Sequence, residues 1–189
     1  MRILIFLALF LPMCLHSQIT IKNASFEDEP MDASVPTGWF PSAPGTTPDI
    51  LPGYWNVYLD ASEGETYVGL ITRDDGTFES IGQRLSAPLQ ANACYSFTFD
   101  VAHSKTYYGY DKPLKVRIWG GQLQHGKDQL LIETGFITAE DWQEIAVEFV
   151  AKKQINYILI EAYYKSGTYS YKGNILVDNI SIIKKCIRA

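Results

Sequence analysis

The chain has 189 residues, of which 13% are aromatic and 20% are charged, and its formal net charge is −5. An acidic chain with scattered lysines lacks the basic surface that binds a phosphate backbone, so the composition argues against a nucleic-acid partner. Once a leader is set aside, about 170 residues remain, a length that suits one domain with one core.

The first predicted element is a signal peptide over residues 1–17. Arg2 precedes an apolar run of about ten residues, and a polar break then ends at the small residue Ser17. This run is too short to cross a bilayer as a mature anchor, and no later stretch reaches the roughly 18 apolar residues of a transmembrane helix. The sequence therefore predicts an exported protein without a membrane span, in which residues 18–189 form one domain.

A proline-rich segment follows between Asp28 and Asn56. It contains Pro30, Pro36, Pro41, Pro44, Pro48 and Pro52. It also carries Trp55 and other aromatic residues, which a disordered linker would lack. We therefore predict a long ordered loop, and long loops on rigid sandwiches often carry binding surfaces. A second loop, Ser104–Asp111, is rich in tyrosine and is a further candidate of this kind.

Strands are predicted where apolar and polar residues alternate. Cys94–His103 places Tyr95, Phe97, Phe99 and Val101 on one face. The same period recurs in Leu114–Trp119, Ile145–Phe149 and Ile175–Ile182. Asn156–Tyr164 is apolar on both faces and is predicted as a central strand. Because only a turn near Thr138 shows helical character, the fold class is all-β, a two-sheet antiparallel β-sandwich or jelly roll.

Cysteine usage fits an oxidising compartment. Cys14 lies in the predicted signal and leaves a lipoprotein signal as an alternative, although Met13 is not the small residue that precedes such a cysteine. Removal of the signal leaves Cys94 and Cys186, an even number that predicts a disulfide bond. Two buried thiols are the alternative interpretation.

Short motifs at the two ends of the domain resemble one family. Asn23–Glu27 reads Asn-Ala-Ser-Phe-Glu, Trp39 follows, and Ile175–Ile180 forms the last long strand. These segments, with Gly64–Leu70 between them, resemble the galactose-binding-like jelly rolls, especially the carbohydrate-binding modules attached to xylanases and cellulases. Arg117–Gly121 further resembles a domain of exported Bacteroidetes surface proteins.

The resemblance implies a structural calcium ion. In that family the first and last strands meet, and an acidic residue from each helps to hold the metal, which corresponds here to Glu27 and Asp178. Calcium takes six to eight hard oxygen ligands, and two carboxylates with backbone carbonyls would suit it. The alternative is that both acids are solvated strand ends.

Sugar binding by such modules needs aromatic faces and polar groups of fixed geometry. The candidate platforms are Trp55, Tyr107, Tyr108, Tyr110 and Trp119. The candidate polar ligands are Gln83, Arg117 and Glu161 in a groove, with His103 at its rim. The leading hypothesis is therefore an exported, non-catalytic module that binds a polysaccharide or cell-surface glycan.

The sequence leaves two alternative functions open. The first is a structural or adhesive module that contacts envelope proteins through the same loops. The second is a glycoside hydrolase or polysaccharide lyase, since a carboxylate pair can assemble in space from separate strands. No alternating pair of acids occupies one strand, and Tyr163–Tyr169 matches a lyase motif without its partner motifs, so we expect the protein not to be an enzyme.

Overall fold

A computed structural model describes residues 18–165 and 170–186, and within these ranges it has twelve β-strands in two sheets. The five-stranded sheet comprises Phe40–Pro41 (β1), Ser80–Leu89 (β4), Ile155–Tyr163 (β10), Lys115–Gly121 (β7) and Gln129–Glu133 (β8), in that spatial order. The seven-stranded sheet comprises Lys184–Lys185 (β12), Cys94–Ala102 (β5), Gly173–Asp178 (β11), Tyr67–Thr72 (β3) and Asp49–Leu51 (β2) in order, with Lys112–Pro113 (β6) paired to β11 and Gln143–Val150 (β9) paired to β5.

All strand pairs are antiparallel except β6 with β11, and the described residues contain no helix. The predicted all-β antiparallel sandwich of jelly-roll type is therefore confirmed. Within the described ranges, nothing helical has the length and hydrophobicity needed to cross a membrane. The predicted signal peptide, including Cys14, lies outside the described residues.

The main core fills the space between the two sheets. Tyr95, Phe97, Phe99 and Val101 of β5 are all buried on the inner face, as their alternation predicts. Opposite them lie apolar residues of the five-stranded sheet, namely Ile81, Leu85, Val116, Ile118, Ile158 and Ile160. Burial of these large side chains is the main favourable contribution to folding, at about 1.5–3 kcal/mol for each.

A second, smaller core lies on the outer face of the seven-stranded sheet. Tyr67 and Leu176 point away from the main core, and Leu51, Val57 and Tyr107 cover them. The ring of Trp142 packs edge-on against Tyr67 at 5.1 Å. The proline-rich segment is therefore ordered, as predicted, because it buries one face of this sheet.

Strand β10 is central, as predicted, because it pairs with β4 on one side and with β7 on the other. Its residues Ile158, Ile160 and Ala162 point into the main core. Side chains alternate along a strand, so Leu159 and Glu161 point to the outer face of the five-stranded sheet. This outer face carries the candidate site.

The two predicted cysteine partners are joined by a disulfide bond rather than left as thiols. The Cα atoms of Cys94 and Cys186 lie 5.3 Å apart. The N–H of Cys186 donates a hydrogen bond of 3.1 Å to the carbonyl of Cys94. The C-terminal segment is thereby fixed to the start of β5.

Candidate functional site

A row of four polar side chains crosses the outer face of the five-stranded sheet. Ser80 of β4 is paired with Glu161 of β10, Glu161 with Arg117 of β7, and Arg117 with Glu133 of β8. Residues directly opposite one another in a sheet share a face. Strand pairing alone therefore brings these four residues together from distant parts of the chain.

Glu161 is the central acid of this row and is only 3% exposed. Its Oε2 accepts a hydrogen bond from the ammonium of Lys127, which lies on the turn between β7 and β8. Its Oε1 lies 3.9 Å from Nη1 of Arg117. A carboxylate this deeply buried needs such cationic partners, because desolvation otherwise penalises its charge.

Arg117 is held mainly by groups other than Glu161. Its Nε donates a 2.8 Å hydrogen bond to Oε2 of Glu133, and its guanidinium carbon lies 3.2 Å from the ring centroid of Tyr163. Hydrogen bonds from Lys115 and Arg117, together with their positive charges, lower the pKa of Glu133. Glu133 thus pairs with both Lys115 and Arg117, and the close cationic partner of Glu161 is Lys127.

Aromatic side chains lie near Lys127 and line the cleft that contains Glu161. The ammonium of Lys127 lies 5.1 Å from the ring centroid of Phe78 and 5.9 Å from that of Trp119. The cleft that these groups define has a volume of about 320 Å³. Its lining includes Arg73, Phe78, Arg117, Trp119, Lys127, Glu161, Tyr163, Tyr164 and Tyr171. Aromatic rings and charged groups thus contribute equally to the lining, with Lys165 as a further cation, and such a cleft can take a ligand that has both a flat ring and a polar group.

Two buried polar atoms on this face of the sheet lack hydrogen-bond partners, and one of them, Trp119 Nε1, belongs to a residue that lines the cleft. Among the described residues, only Ser80 Oγ, His103 Nδ1 and Trp119 Nε1 are buried polar side-chain atoms without a partner. Ser80 is opposite Glu161 and Trp119 is opposite Leu159, so both belong to the outer face of the five-stranded sheet. Buried polar groups are normally paired, so these two exceptions are unusual features of this face.

A glycine shapes the floor beside the cleft. A Cβ atom at Gly82 would lie 2.4 Å from Leu159 and 2.7 Å from the ring of Phe40. Only the absence of a side chain lets these two residues approach over β4. A second depression of about 740 Å³ lies beyond them, lined by Arg84, His125, Tyr157 and their neighbours.

The structure separates the residues that the sequence analysis placed in one groove. Arg117, Trp119 and Glu161 meet at the outer face of the five-stranded sheet. The tyrosine-rich loop instead lies over the outer face of the seven-stranded sheet, where the N–H of Tyr108 donates to the carbonyl of Trp55 and the rings of Trp55 and Tyr110 are 6.5 Å apart. The single predicted groove is therefore two separate surfaces.

The predicted platform residues differ in exposure. Tyr108 and Trp55 are exposed, whereas Tyr107 is 1% exposed and donates a hydrogen bond to the carboxylate of Asp49. The prediction of a platform at Tyr107 is therefore wrong, because its ring fills the smaller core. Tyr110 packs against Tyr107, with their ring centroids 6.2 Å apart.

Gln83 and His103 also differ from expectation. Gln83 is buried, and its side-chain amide bonds both the N–H and the carbonyl of Lys22, with a distance of 2.6 Å from Nε2 to the carbonyl oxygen. Its role is to fix the N-terminal segment to β4 rather than to line a groove. His103 is buried at the base of a separate cleft with Ser104, Asn56 and Glu140, so it is not an exposed rim residue.

The sequence analysis missed Ser80, Phe78, Lys127 and Glu133 as parts of the site. Lys127 lies on a turn and Phe78 follows a loop, so neither carries a strand period that would place it. Ser80 and Glu133 could have been found only by pairing their strands with β10 and β7 in register.

Glu27 and Asp178 do approach a common segment, as the resemblance implies. Oε1 and Oε2 of Glu27 accept hydrogen bonds of 3.2 and 3.0 Å from the N–H of Glu65. Oδ2 of Asp178 accepts hydrogen bonds of 2.9 and 3.0 Å from the N–H groups of Ser62 and Glu63. Both acids therefore shape the turn before β3.

The residues around Glu27 and Asp178 are compatible with a cation. Burial raises the pKa of Asp178 to about 7, and the negative charge of Glu27 raises it as well. Within residues 18–165 and 170–186, neither carboxylate forms an ion pair with a basic side chain. Asp100 is nearby, bonded to the hydroxyl of Ser62, but the three carboxylates do not all come within 4.8 Å of one another. A metal here would need backbone carbonyls and water as further ligands.

Asp49 is a second buried acid with a raised pKa. Burial raises the pKa of Asp49 to about 7, against the lowering effect of hydrogen bonds from Tyr107 and Ala33. An unfolded aspartate has a pKa of about 3.9, so between roughly pH 4 and 7 the folded state binds a proton that the unfolded state does not. This acid therefore reduces stability as the pH rises through that window.

The expected result for Asp49→Asn is a gain of stability that is about 2–3 kcal/mol larger at pH 8 than at pH 5, since the penalty grows with each pH unit between the two pKa values. Denaturant unfolding of wild type and variant at both pH values, with a chelator present, measures it. Asp74→Asn, an exposed change on a neighbouring loop, is the matched control. An equal effect of Asp49→Asn at both pH values would argue against titration of this group.

Comparison with known proteins identifies the family. The model of the HpiC1-like family, described as HpiC1 cyclase, matches residues 17–159. The chain belongs to the HpiC1-like family. No curated protein sequence matches this HpiC1-like chain.

Solved structures similar to this HpiC1-like chain share its fold. A cyclase from Fischerella sp. TAU in complex with 4-(1H-indol-3-yl)butan-2-one is 18% identical, covers 92% of this chain and 99% of its own, and has a TM-score of 0.64. A Stig cyclase, FisC, from the same organism is 19% identical, covers 92% of this chain and 100% of its own, and has a TM-score of 0.61. The CBM22-1 xylan-binding domain of Paenibacillus barcinonensis Xyn10C is 14% identical, covers 88% and 94%, and has a TM-score of 0.55.

The resemblance to carbohydrate-binding modules thus holds for the fold, and a particular module type is not established. The prediction of a non-catalytic glycan-binding module, and of a protein that is not an enzyme, is wrong. Membership of a family described by a cyclase overturns both. The sequence motifs indicated a β-sandwich fold that binding modules and enzymes have in common, and a fold alone does not decide between these functions.

Proposed function

We propose that this protein is a cyclase, an enzyme that joins two atoms of one substrate molecule into a ring, with its active site in the cleft around Glu161. The observation that supports the proposal most directly is a carboxylate that is 3% exposed at the centre of an aromatic cleft. The unpartnered atoms Ser80 Oγ and Trp119 Nε1 on the same face add to it.

Glu161 is the group proposed to carry the chemistry. A ring closure of unchanged mass through a double bond takes up one proton from solvent at the start, which leaves positive charge on carbon, and releases one proton once the new carbon bond has formed. A fixed carboxylate in a low-dielectric cleft stabilises that charge better than water does. The same carboxylate is positioned to accept the departing proton as a general base.

Arg117 is proposed as a positioning residue rather than a catalytic one. Its bond to Glu133 and its stacking on Tyr163 fix the guanidinium, and the guanidinium then limits the movement of Glu161. Fixed orientation of a reacting group lowers the entropic barrier to reaction.

An unsaturated aromatic molecule is the proposed substrate. Phe78 and Trp119 are among the residues that line the cleft, and flat aromatic ligands stack on such rings. The similar cyclase from Fischerella sp. TAU was solved with an indole ketone, which supports a ligand of that shape.

The test of this proposal is incubation of purified protein with a panel of 3-alkenyl indoles, followed by chromatography and mass spectrometry. Ring closure predicts a product of unchanged mass and altered retention that requires the protein. Saturation binding of 4-(1H-indol-3-yl)butan-2-one, followed by tryptophan fluorescence, provides an independent measure of cleft occupancy. Absence of both binding and isomerisation would refute the proposed site.

We also propose that calcium binds between Glu27 and Asp178, where it would neutralise two carboxylates that have no basic partner among the residues that the structure describes. The metal would hold the turn before β3 and have no step in ring closure. Ser62 and Glu65, whose backbone N–H groups bond these acids, would be fixed more firmly.

Calcium at 1 mM is expected to raise the melting temperature by several degrees, because ligand binding to the folded state stabilises it by about RT ln(1 + [L]/Kd). Differential scanning fluorimetry with calcium or EDTA measures the change. Asp178→Asn should remove the calcium response, whereas Asp49→Asn, at a buried acid away from the proposed metal, should retain it. If calcium did not change the melting temperature of the wild type, the proposed calcium site would be wrong.

We propose that the chain is exported. The charge and apolar run of residues 1–17 support it, and so does a disulfide bond, which persists in oxidising compartments. Binding of a polysaccharide by the exposed Trp55 and Tyr108 stays an untested prediction.

A further inference from the structure

We infer that the Glu161 cleft contains a subsite for an organic ammonium group, and that the side chain of Lys127 occupies it when no substrate is bound. The inference names a substrate class for the site proposed above and rests on that proposal. The class is a molecule with an aromatic ring and a protonated amine.

The groups around the Lys127 ammonium are those that recognise amines. Glu161 accepts its hydrogen bond, and the rings of Phe78 and Trp119 lie 5.1 and 5.9 Å away. Cation–π attraction operates within about 6 Å of a ring centroid, and it is strongest where water is excluded. One buried carboxylate and two aromatic faces thus converge on a single cation.

The ion pairs on the sheet leave Lys127 as the close cation at Glu161, and a ligand cation could take its place. Arg117 has its own partners, since it bonds Glu133 at 2.8 Å and stacks on Tyr163. It reaches Glu161 only at 3.9 Å. Removal of the Lys127 ammonium would therefore leave the buried carboxylate of Glu161 short of one close cation, which a ligand ammonium can supply.

Glu161 and Lys127 differ in how firmly the fold holds them. Glu161 lies on the central strand β10, bonded on both sides, and its side chain is 4% exposed. Lys127 extends from a turn on a flexible four-carbon stem, and its side chain is 33% exposed. A ligand can therefore displace the lysine and leave the receiving groups in place.

The test compares three indole probes that differ mainly in charge: gramine, which is a protonated amine at pH 7, indole-3-acetate, which is an anion, and the neutral 3-ethylindole. Isothermal titration calorimetry is performed on wild type, Lys127→Met and the control Lys184→Met, which changes an exposed lysine on β12. We expect Lys127→Met to bind gramine at least about tenfold more tightly than wild type, since the tethered competitor is gone. Indole-3-acetate and 3-ethylindole should show no such gain, and Lys184→Met should behave as wild type.

A measurement on the wild-type protein covers the case in which Lys127→Met does not fold. Lysine acetylation, read by peptide mass spectrometry, should show slow modification of Lys127 in the free protein and faster modification when gramine is bound. Gramine is a tertiary amine and does not consume the reagent. Equal reactivity of Lys127 with and without gramine, or equal binding of all three probes, would overturn the inference.

The outcome is separable from that of the cyclase proposal. Charge-selective binding of gramine without any isomerisation would support the ammonium subsite and refute the cyclase. Isomerisation of neutral alkenyl indoles without gramine selectivity would support the cyclase and refute the subsite.

Discussion

Replacement of Glu161 by glutamine is expected to lower the rate of ring closure by about 100-fold or more, with the fold retained. Glutamine keeps the size and one acceptor oxygen of Glu161, but it cannot take a proton and carries no charge to stabilise a cation. Loss of a general base or of a fixed electrostatic group usually costs a factor of about 10²–10⁴. The measurement is the initial rate of product formation at saturating substrate, with near-ultraviolet circular dichroism as the check on folding.

Glu144→Gln is the matched control, because Glu144 is an exposed acid on β9 in the other sheet. Its rate should equal that of the wild type. A folded Glu161→Gln variant with the wild-type rate would show that the carboxylate takes no part in the reaction, and the proposed active site would then be wrong.

Reduction of the Cys94–Cys186 disulfide is expected to destabilise the protein by about 4–5 kcal/mol, according to the chain-entropy description of a closed loop. The two cysteines are 92 residues apart, so the bond restricts a long loop in the unfolded state. In the folded state it fixes the C-terminal segment to β5. Urea unfolding with and without reductant measures the difference.

The double variant Cys94→Ser, Cys186→Ser provides the control for this second prediction. It should match the reduced wild type in stability and should not respond to reductant. If reductant left the urea midpoint of the wild type unchanged while mass spectrometry showed free thiols, the bond would have no stabilising role.

The inner faces of the sheets were predictable from the sequence, because burial on one side imposes a period of two. Phe97 and Phe99 illustrate this, since their alternation with Ser96 and Thr98 placed them in the core correctly. Asn156–Tyr164 was recognised as central for a related reason, since a strand with neighbours on both sides is apolar on both faces.

The candidate site was only partly predictable. Arg117 and Glu161 were predicted as polar groove residues and Trp119 as an aromatic platform, and these three do share one face, whereas Gln83 does not. Their partners were not found, because the register between β10 and β4 that brings Ser80 to Glu161 is set by three-dimensional pairing and leaves no local signal. Lys127 belongs to a turn, where no periodicity indicates the direction of a side chain.

Aromatic residues in loops were the least predictable. Tyr107 and Tyr108 are adjacent and chemically identical, yet Tyr107 is 1% exposed and Tyr108 is 75% exposed. The difference depends on Asp49, more than 50 positions earlier, whose carboxylate receives the Tyr107 hydroxyl. A tyrosine-rich segment therefore indicates an ordered loop but not which ring reaches the solvent.

The polar row across β4, β10, β7 and β8 has a consequence for ligand dimensions. Neighbouring strands are about 4.8 Å apart, so a pleated sheet holds the side chains of Ser80, Glu161, Arg117 and Glu133 at nearly equal steps. Backbone hydrogen bonds between the strands, and not loop conformation, therefore set the distance between neighbouring side chains in this row. Of the four residues, Glu161 and Arg117 line the cleft, so the ligand groups that meet these two side chains should lie about one strand spacing apart.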